Sequence, residues 1–241
     1  MCFDVDSSPP IPVLSGGALT HEELVLHSDT DFAAFAALPD DEATTGVVIL
    51  PDVRGLYRFY EELALRFAER GCAAIAIDYF GRTADVAKRD DDFEYMPHVE
   101  QTTEAGVQAD VRAAVEWLRG RGVRSVFSVG FCFGGRNSWI AAASGHGLAG
   151  AVGFYGRPDR AIELADSIEC PILALQAGAD QNILAEHNAA FDEALTRAGV
   201  EHEVVTYEGA PHSFFDRKQE EFADASADAW RRTLEFIDAR S

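Results

Sequence analysis

The sequence predicts an α/β protein with a mostly parallel, doubly wound sheet and helices on both faces. Short, almost wholly apolar runs such as residues 46–50 recur along the chain, and such runs are typical of strands that are buried on both faces. Longer segments with apolar residues every three or four positions alternate with them, as residues 102–119 illustrate. Strictly alternating strands and helices favour parallel pairing with right-handed crossovers.

The chain opens with an arm and a predicted hairpin. Residues 1–20 are rich in Pro, Gly and Ser and have no period, so we expect an extended arm. Residues 22–27 and 31–38 read as two strands around a Ser-Asp-Thr turn. With 241 residues the chain has the length of one large α/β domain, and we expect that domain to span residues 1–241.

The central elements follow from apolar runs and from helical periodicity. Strands are predicted at residues 46–50, 73–77, 125–129, 149–155, 171–176 and 202–207. Helices are predicted at residues 58–70, 102–119, 136–143, 162–168, 185–198 and 220–240. Residues 78–97 are irregular and acidic, which suits either a cover over a pocket or a solvated surface excursion.

Composition excludes several classes of partner. The formal net charge of -21 would repel phosphate, so neither nucleic acid nor an anionic membrane is expected to bind. No stretch reaches the ~18 apolar residues of a membrane helix, and the acidic first residues do not resemble a signal peptide. The four cysteines have neither metal-ligand nor disulfide spacing. We therefore expect a cytoplasmic protein without a metal site.

Residues 124–144 carry the strongest functional signal. The strand predicted at 125–129 leads into Gly130-Phe131-Cys132-Phe133-Gly134-Gly135 and then into a helical segment. Two glycines flank Cys132 in the pattern Gly-x-nucleophile-x-Gly, a sharp turn that exposes a reactive side chain. Side chains in place of these glycines would collide with the neighbouring strand or helix. The alternative is a buried cysteine without chemistry.

The predicted turn also supplies electrostatic stabilisation. The helix after Cys132 presents its N-terminal amides and the positive end of its dipole to the sulfur, which stabilises a thiolate. The Phe133 amide points at the same site. It can donate to the negative oxygen that forms when a carbonyl is attacked.

Two later loops carry an acid and a histidine. Asp180 and His212 each follow a predicted strand, and the carboxyl ends of parallel strands gather functional residues. The chain order nucleophile, acid, histidine is that of α/β-hydrolases. His212 would then act as base and acid, with Asp180 orienting its imidazole. Taken alone, Asp180 could equally cap a helix and His212 could close a loop.

In these segments the sequence resembles the dienelactone hydrolases (carboxymethylenebutenolidases), a family with the α/β-hydrolase fold. The resemblance rests on residues 130–135, on Gly178-Ala179-Asp180 and on residues 209–215, and its pattern extends from about 46 to 238. It implies a Cys132–His212–Asp180 triad that opens an enol-lactone through a thioester acyl-enzyme, without a metal or organic cofactor. It also implies the Val53 amide as a second oxyanion donor beside Phe133.

The resemblance also points to residues that would contact thiol or substrate. Where the best-known members carry a Glu that contacts the resting thiol, this chain has Asp52, one methylene shorter. Members that cleave dienelactone hold its carboxylate with arginines. The candidates here, each of which could also be a surface residue, are Arg217, Arg89, Arg54, Arg82 and Arg136.

The sequence therefore predicts a cytoplasmic hydrolase that cleaves a small enol-lactone or activated ester. Two alternatives stay open. One is a general carboxylesterase or thioesterase, and the other is a small-molecule binding protein that keeps the hydrolase fold without turnover. The sequence leaves open whether the protein is a monomer or a dimer.

Overall fold

A computed structural model describes residues 3–4, 6–14 and 19–241, and these form one eight-stranded sheet with helices on both faces, as predicted. The strands are β1 (Leu19–His27), β2 (Asp31–Pro39), β3 (Thr45–Leu50), β4 (Ala73–Ile77), β5 (Ser125–Phe131), β6 (Gly150–Phe154), β7 (Ile172–Ala177) and β8 (His202–Tyr207). The helices are α1 (Arg58–Ala68), α2 (Met96–Gln101), α3 (Glu104–Arg119), α4 (Phe133–Ala142), α5 (Asp159–Glu163), α6 (Ala185–Ala198) and α7 (Ala223–Asp238).

The strand order is β1-β2-β4-β3-β5-β6-β7-β8. The predicted opening hairpin is confirmed, because β1 and β2 pair antiparallel from Leu19 opposite Pro39 to His27 opposite Asp31. β2 also pairs antiparallel with β4, and every pairing from β4 to β8 is parallel. β1 begins at Leu19, inside the stretch predicted as an arm. Residues 1–2, 5 and 15–18 of that arm lie outside the described residues.

A hydrophobic core lies on each face of the sheet. α1 and α7 cover one face, and the described arm residues Phe3 and Ile11 pack into the same core. α3, α4 and α6 cover the other face, where Trp139 of α4 lies against Phe191 of α6. All six residues of β3 are buried, which explains why its residues 46–50 are continuously apolar rather than alternating.

Three predicted elements differ from the structure. The predicted irregular stretch 78–97 ends in the short helix α2, whose residues are all at least partly exposed, so apolar periodicity gave no sign of it. The predicted helix 162–168 is instead α5, from Asp159, followed by a 3₁₀ turn at Ala165–Ser167. The predicted helix 220–240 starts as a 3₁₀ turn at Glu220–Phe222 before α7 begins.

A buried ion pair anchors the segment after β4. Arg89 donates from Nη2 to Asp78 Oδ2 at 2.8 Å and from Nε to Asp78 Oδ1 at 3.1 Å. Only 2% of the Arg89 side chain is exposed, and Asp85 Oδ1 accepts from its Nη1 at 2.8 Å. The guanidinium therefore holds the segment against the end of β4.

A second ion pair ties the same segment to the opening hairpin and to α3. Arg82 donates to Asp110 Oδ2 at 2.6 Å and to Asp110 Oδ1 at 2.9 Å, and its Nη2 also donates to Ser28 Oγ at 3.0 Å. The Asp110 carboxyl is fully buried, and burial raises its pKa even though Arg82 and Ser28 hydrogen-bond to it. Arg82 thus compensates a buried carboxyl.

Within the ranges that the structure describes, no helix is long and apolar enough to cross a membrane.

Replacing Arg82 tests the buried pair. Arg82→Met leaves the Asp110 carboxyl buried without its cation, so we expect the free energy of unfolding in urea to fall by about 3 kcal/mol. Arg157→Met removes an exposed pair with Asp159 and should change stability by less than about 1 kcal/mol. Equal losses in the two variants would contradict the structural role of Arg82.

Candidate active site

The turn at Cys132 has the strained geometry that its sequence predicts. Cys132 lies between β5 and α4 with φ 55° and ψ -110°, a backbone conformation that residues other than glycine rarely adopt. A Cβ on Gly130 would lie 2.0 Å from the Gly134 carbonyl oxygen, and one on Gly134 would lie 1.9 Å from the Leu50 carbonyl oxygen. Both contacts are to backbone, so no rotamer change relieves them. Gly130 therefore lets the start of α4 approach β5, and Gly134 lets it approach β3.

The three predicted catalytic side chains meet at the carboxyl edge of the sheet. His212 Nδ1 lies 2.5 Å from Asp180 Oδ2, and the imidazole also hydrogen-bonds the Cys132 side chain. Because Nδ1 faces the carboxylate, Nε2 is the ring nitrogen available to the sulfur. Cys132 and His212 are partly buried, and the Asp180 carboxylate is almost fully buried.

The imidazole favours its protonated form. Burial alone would lower the pKa of His212, but the hydrogen bonds with Asp180 and Cys132 and the charges of both groups outweigh it and raise the pKa to about 9. His212 is therefore cationic at neutral pH. An imidazolium beside the sulfur stabilises a thiolate.

Asp180 is held as an acceptor. Its Oδ1 accepts the backbone N–H groups of Asn182 at 2.8 Å and Ile183 at 3.2 Å, while Oδ2 faces His212. Burial raises the pKa of Asp180, but the hydrogen bonds from His212 and from the two amides lower it by more. The pKa of Asp180 is therefore below its ordinary value. The carboxylate thus stays ionised and fixes the imidazole orientation.

The two predicted oxyanion donors flank the same turn. Phe133 is the first residue of α4, where a backbone N–H has no intrahelical acceptor. Across the described parts of the chain, no protein group is found to accept from the Phe133 or Val53 N–H. The loop that contains Val53 lies next to the turn, since a Cβ on Gly134 would lie 2.4 Å from the Pro51 carbonyl oxygen.

Asp52 takes part in a buried polar cluster between that loop and the start of α1. Its carboxylate accepts from Arg54 N at 2.9 Å and from Arg54 Nη2 at 3.1 Å, and its own N–H donates to the Tyr60 hydroxyl at 2.9 Å. Arg54 also donates to the Tyr57 hydroxyl. The carboxylate that the resemblance relates to the thiol is thus ion-paired with Arg54.

Two of the other predicted arginines are engaged with carboxylates of the fold. Arg89 and Arg82 have their guanidinium groups in the ion pairs described above. Arg217 is exposed, and its Nη1 donates to Ser8 Oγ of the arm at 3.4 Å. Arg136 is half-buried on α4, where its backbone N–H donates to the Cys132 carbonyl at 3.1 Å. The structure does not gather these side chains into one carboxylate-binding cluster.

Sequence reasoning missed three residues around the site. The buried Tyr79 donates its hydroxyl to the Pro51 carbonyl at 2.9 Å, and its ring lies 5.3 Å from the Phe133 ring. Tyr155 packs its ring 4.9 Å from the His212 ring, and Ser213 follows His212 with φ 64°. Tyr79 comes two residues after β4 and Tyr155 comes directly after β6, so the strand-end rule that selected Asp180 could have found them.

Known proteins are similar to this chain in sequence and in fold. The family model "Dienelactone hydrolase family" matches residues 32–241. The "Putative carboxymethylenebutenolidase" of Salmonella typhi is 29% identical over 226 residues, 86% of this chain and 82% of that protein. "Protein usf" of Aquifex pyrophilus is 30% identical over 202 residues, 80% of this chain and 87% of that protein.

A solved structure has the same fold over almost its whole length. It is a dienelactone hydrolase-like promiscuous phosphotriesterase, P91, from metagenomic libraries, with a TM-score of 0.81 and 25% sequence identity. The similarity covers 93% of this chain and 99% of that one. The acylaminoacyl peptidase of Pyrococcus horikoshii shares the fold over part of its chain, since the similarity covers 92% of this chain and 42% of that one, with 12% identity and a TM-score of 0.74.

The turn glycine offers a first test. Gly134→Ala forces α4 away from β3, so we expect kcat/KM for an aryl ester to fall about 100-fold or more, because the Phe133 amide and Cys132 move with the helix. Gly120→Ala is the matched control: its Cβ would lie at an ordinary 3.4 Å from the Glu116 carbonyl oxygen, and activity should be unchanged. An unimpaired Gly134→Ala enzyme would contradict the close approach described here.

The imidazole offers a second test. In an NMR pH titration we expect the His212 ring signal, assigned with His212→Gln, to titrate at about 9 and in Asp180→Asn nearer to the ordinary 6.5. Because folding raises this pKa, the stability that His212 contributes is fully present below pH 6.5 and is lost as the pH rises through 9. Titration near 6.5 in the unaltered protein would contradict the ion-paired site.

Proposed function

The chain belongs to the dienelactone hydrolase family, which is a family of carboxymethylenebutenolidase-like hydrolases, and from this membership we propose that it cleaves a small enol-lactone or activated ester through a thioester on Cys132. The observation that carries the proposal is the His212 imidazole between the Asp180 carboxylate and the Cys132 sulfur. A sulfur nucleophile, an oriented base and unused amide donors are the groups that acyl transfer needs.

In the first step the Cys132 thiolate attacks the carbonyl carbon of the ester. The C–S bond forms, the carbonyl π electrons move onto oxygen, and the Phe133 and Val53 amides donate to the resulting oxyanion. These amides require no rearrangement at that moment, because α4 packs closely against the loop after β3 and the Tyr79 hydroxyl donates to the Pro51 carbonyl of that loop.

In the second step the tetrahedral intermediate collapses. The C–O bond to the leaving oxygen breaks, and the His212 imidazolium gives that oxygen a proton. In a lactone the leaving oxygen remains part of the acyl chain, so the ring opens while the product stays attached to Cys132. Enolates and phenolates leave well, which favours enol-lactones and aryl esters over alkyl esters and amides.

In the last steps neutral His212 takes a proton from a water molecule that attacks the thioester. The second tetrahedral intermediate expels the Cys132 thiolate and releases a carboxylic acid, and His212 is protonated again. Asp180 stabilises the imidazolium in both half-reactions.

Two other activities share this chemistry and belong in the same panel of assays. A general carboxylesterase or thioesterase would use the same steps on other acyl groups. A phosphotriester is a further arm, because the neighbour P91 is described as a promiscuous phosphotriesterase. Rates on dienelactone, a saturated lactone, an aryl ester, an acyl thioester and an aryl phosphotriester would rank these substrate classes, and the proposal expects the enol-lactone or the aryl ester to rank first.

Substitution of the nucleophile tests the proposal directly. Cys132→Ala should lower kcat by about 10³-fold or more, and mass spectrometry after rapid mixing with p-nitrophenyl acetate should find an acetyl adduct on the Cys132 peptide of the unaltered enzyme only. Cys72→Ala is the matched control, since burial raises the pKa of that thiol to about 11 and leaves it unreactive.

Two results would overturn the proposal. Full activity in Cys132→Ala would remove the nucleophile from the mechanism. A protein that forms neither adduct nor product with any ester of the panel would be a binding protein on this fold.

A further inference from the structure

The arm before β1 packs against the body of the protein. Phe3 and Ile11 are each 3% exposed and Ser7 is 1% exposed, so these side chains are as buried as the core. The arm follows α1, because Phe3 stacks on Phe59 near the start of that helix and the Leu14 N–H donates at 3.1 Å to Glu69, just after its end. These residues precede the segment that the family model matches.

On its other side the arm contacts the segment that follows His212. The Ser7 hydroxyl donates to the carboxylate of Asp216, which is 3% exposed and lies four residues after the histidine. The Arg217 N–H donates to the Ser8 carbonyl at 3.4 Å, and Lys218 pairs with Asp6. The arm thus joins α1 to the loop that carries the imidazole.

The arm also reaches the aromatic residue beside the imidazole. The Phe3 ring lies 3.9 Å from the Phe59 ring, centroid to centroid, and meets the edge of the Tyr155 ring at 6.5 Å. The Tyr155 ring in turn lies 4.9 Å from the His212 ring. A displaced Phe3 would leave space beside Tyr155.

Both supports of the histidine are strained. Ser213 has φ 64° and Tyr155 has φ 37°, and residues other than glycine keep such angles only where the surroundings hold them. We propose that the arm, through its described residues 3–4 and 6–14, is a positioning strap for His212, in which Ser7 fixes the loop after the histidine and Phe3 fixes Tyr155 against its ring. The strap acts on the site of the proposed hydrolase and therefore rests on that function.

The test measures the Cys132–His212 pair without an ester substrate. The groups that face the imidazole are the Cys132 sulfur from the β5–α4 turn, the Asp180 carboxylate from the loop after β7, and the Tyr155 ring from the end of β6. At about pH 6 the thiolate depends on the imidazolium, whereas at about pH 9.5 a cysteine ionises largely by itself. The rate at which iodoacetamide alkylates Cys132 is measured at both pH values and mapped to that residue by mass spectrometry. The rate at about pH 6 divided by the rate at about pH 9.5 therefore reports how well His212 is placed.

Four full-length variants separate positioning from general stability. We expect Ser7→Ala and Phe3→Leu to lower the ratio about three-fold or more, because the imidazolium no longer sits firmly beside the sulfur. Ser7→Thr keeps the hydroxyl and should restore the ratio. Ile11→Val removes one methyl group from another buried side chain of the same arm and leaves Ser7 and Phe3 unchanged, so its ratio should equal that of the unaltered protein.

Two outcomes would overturn the strap. An unchanged ratio in both Ser7→Ala and Phe3→Leu would show that His212 is placed without the arm. An equal fall in Ile11→Val would show that the arm acts through stability alone. A protein that hydrolyses no ester would refute the hydrolase, but its alkylation ratio would still decide for or against the strap.

Discussion

The candidate active site depends on one imidazole that two other groups hold in place. His212 faces Asp180 with one ring nitrogen and the Cys132 sulfur with the other, and these three residues come from loops after three different strands. They can meet because β5, β7 and β8 are parallel and end at the same edge. The parallel sheet, with a buried core on each face, is therefore the precondition of the site.

Much of this arrangement could be predicted because local physics and tertiary structure demand the same residues. β3 is buried on both faces, and its residues 46–50 are continuously apolar. Gly130 and Gly134 are needed where backbone approaches backbone, and they stand on both sides of the nucleophile. Asp180 and His212 could be selected because each follows a predicted strand, and the order nucleophile, acid, histidine along the chain related them to Cys132.

The ion pairs and the contacts of the arm could not be predicted, because they depend on which side chains meet in the folded chain. An arginine that binds a substrate and one that neutralises a buried carboxylate look alike in sequence, and only the structure pairs Arg89 with Asp78 and Arg82 with Asp110. The same holds for Asp52, whose partner Arg54 lies two residues away. The arm was predicted from its Pro, Gly and Ser content, but nothing in that composition indicated its contact with Asp216.

The central claim is that an imidazolium stabilises a thiolate at the bend between β5 and α4. The most direct measurement is the ultraviolet absorbance of the thiolate during a pH titration, taken as the difference between the unaltered protein and Cys132→Ala. We expect thiolate absorbance at neutral pH and its loss in His212→Gln. If the absorbance rose only near about pH 8.5 in the unaltered protein as well as in His212→Gln, as it does for an ordinary free cysteine, the imidazolium would not stabilise a thiolate.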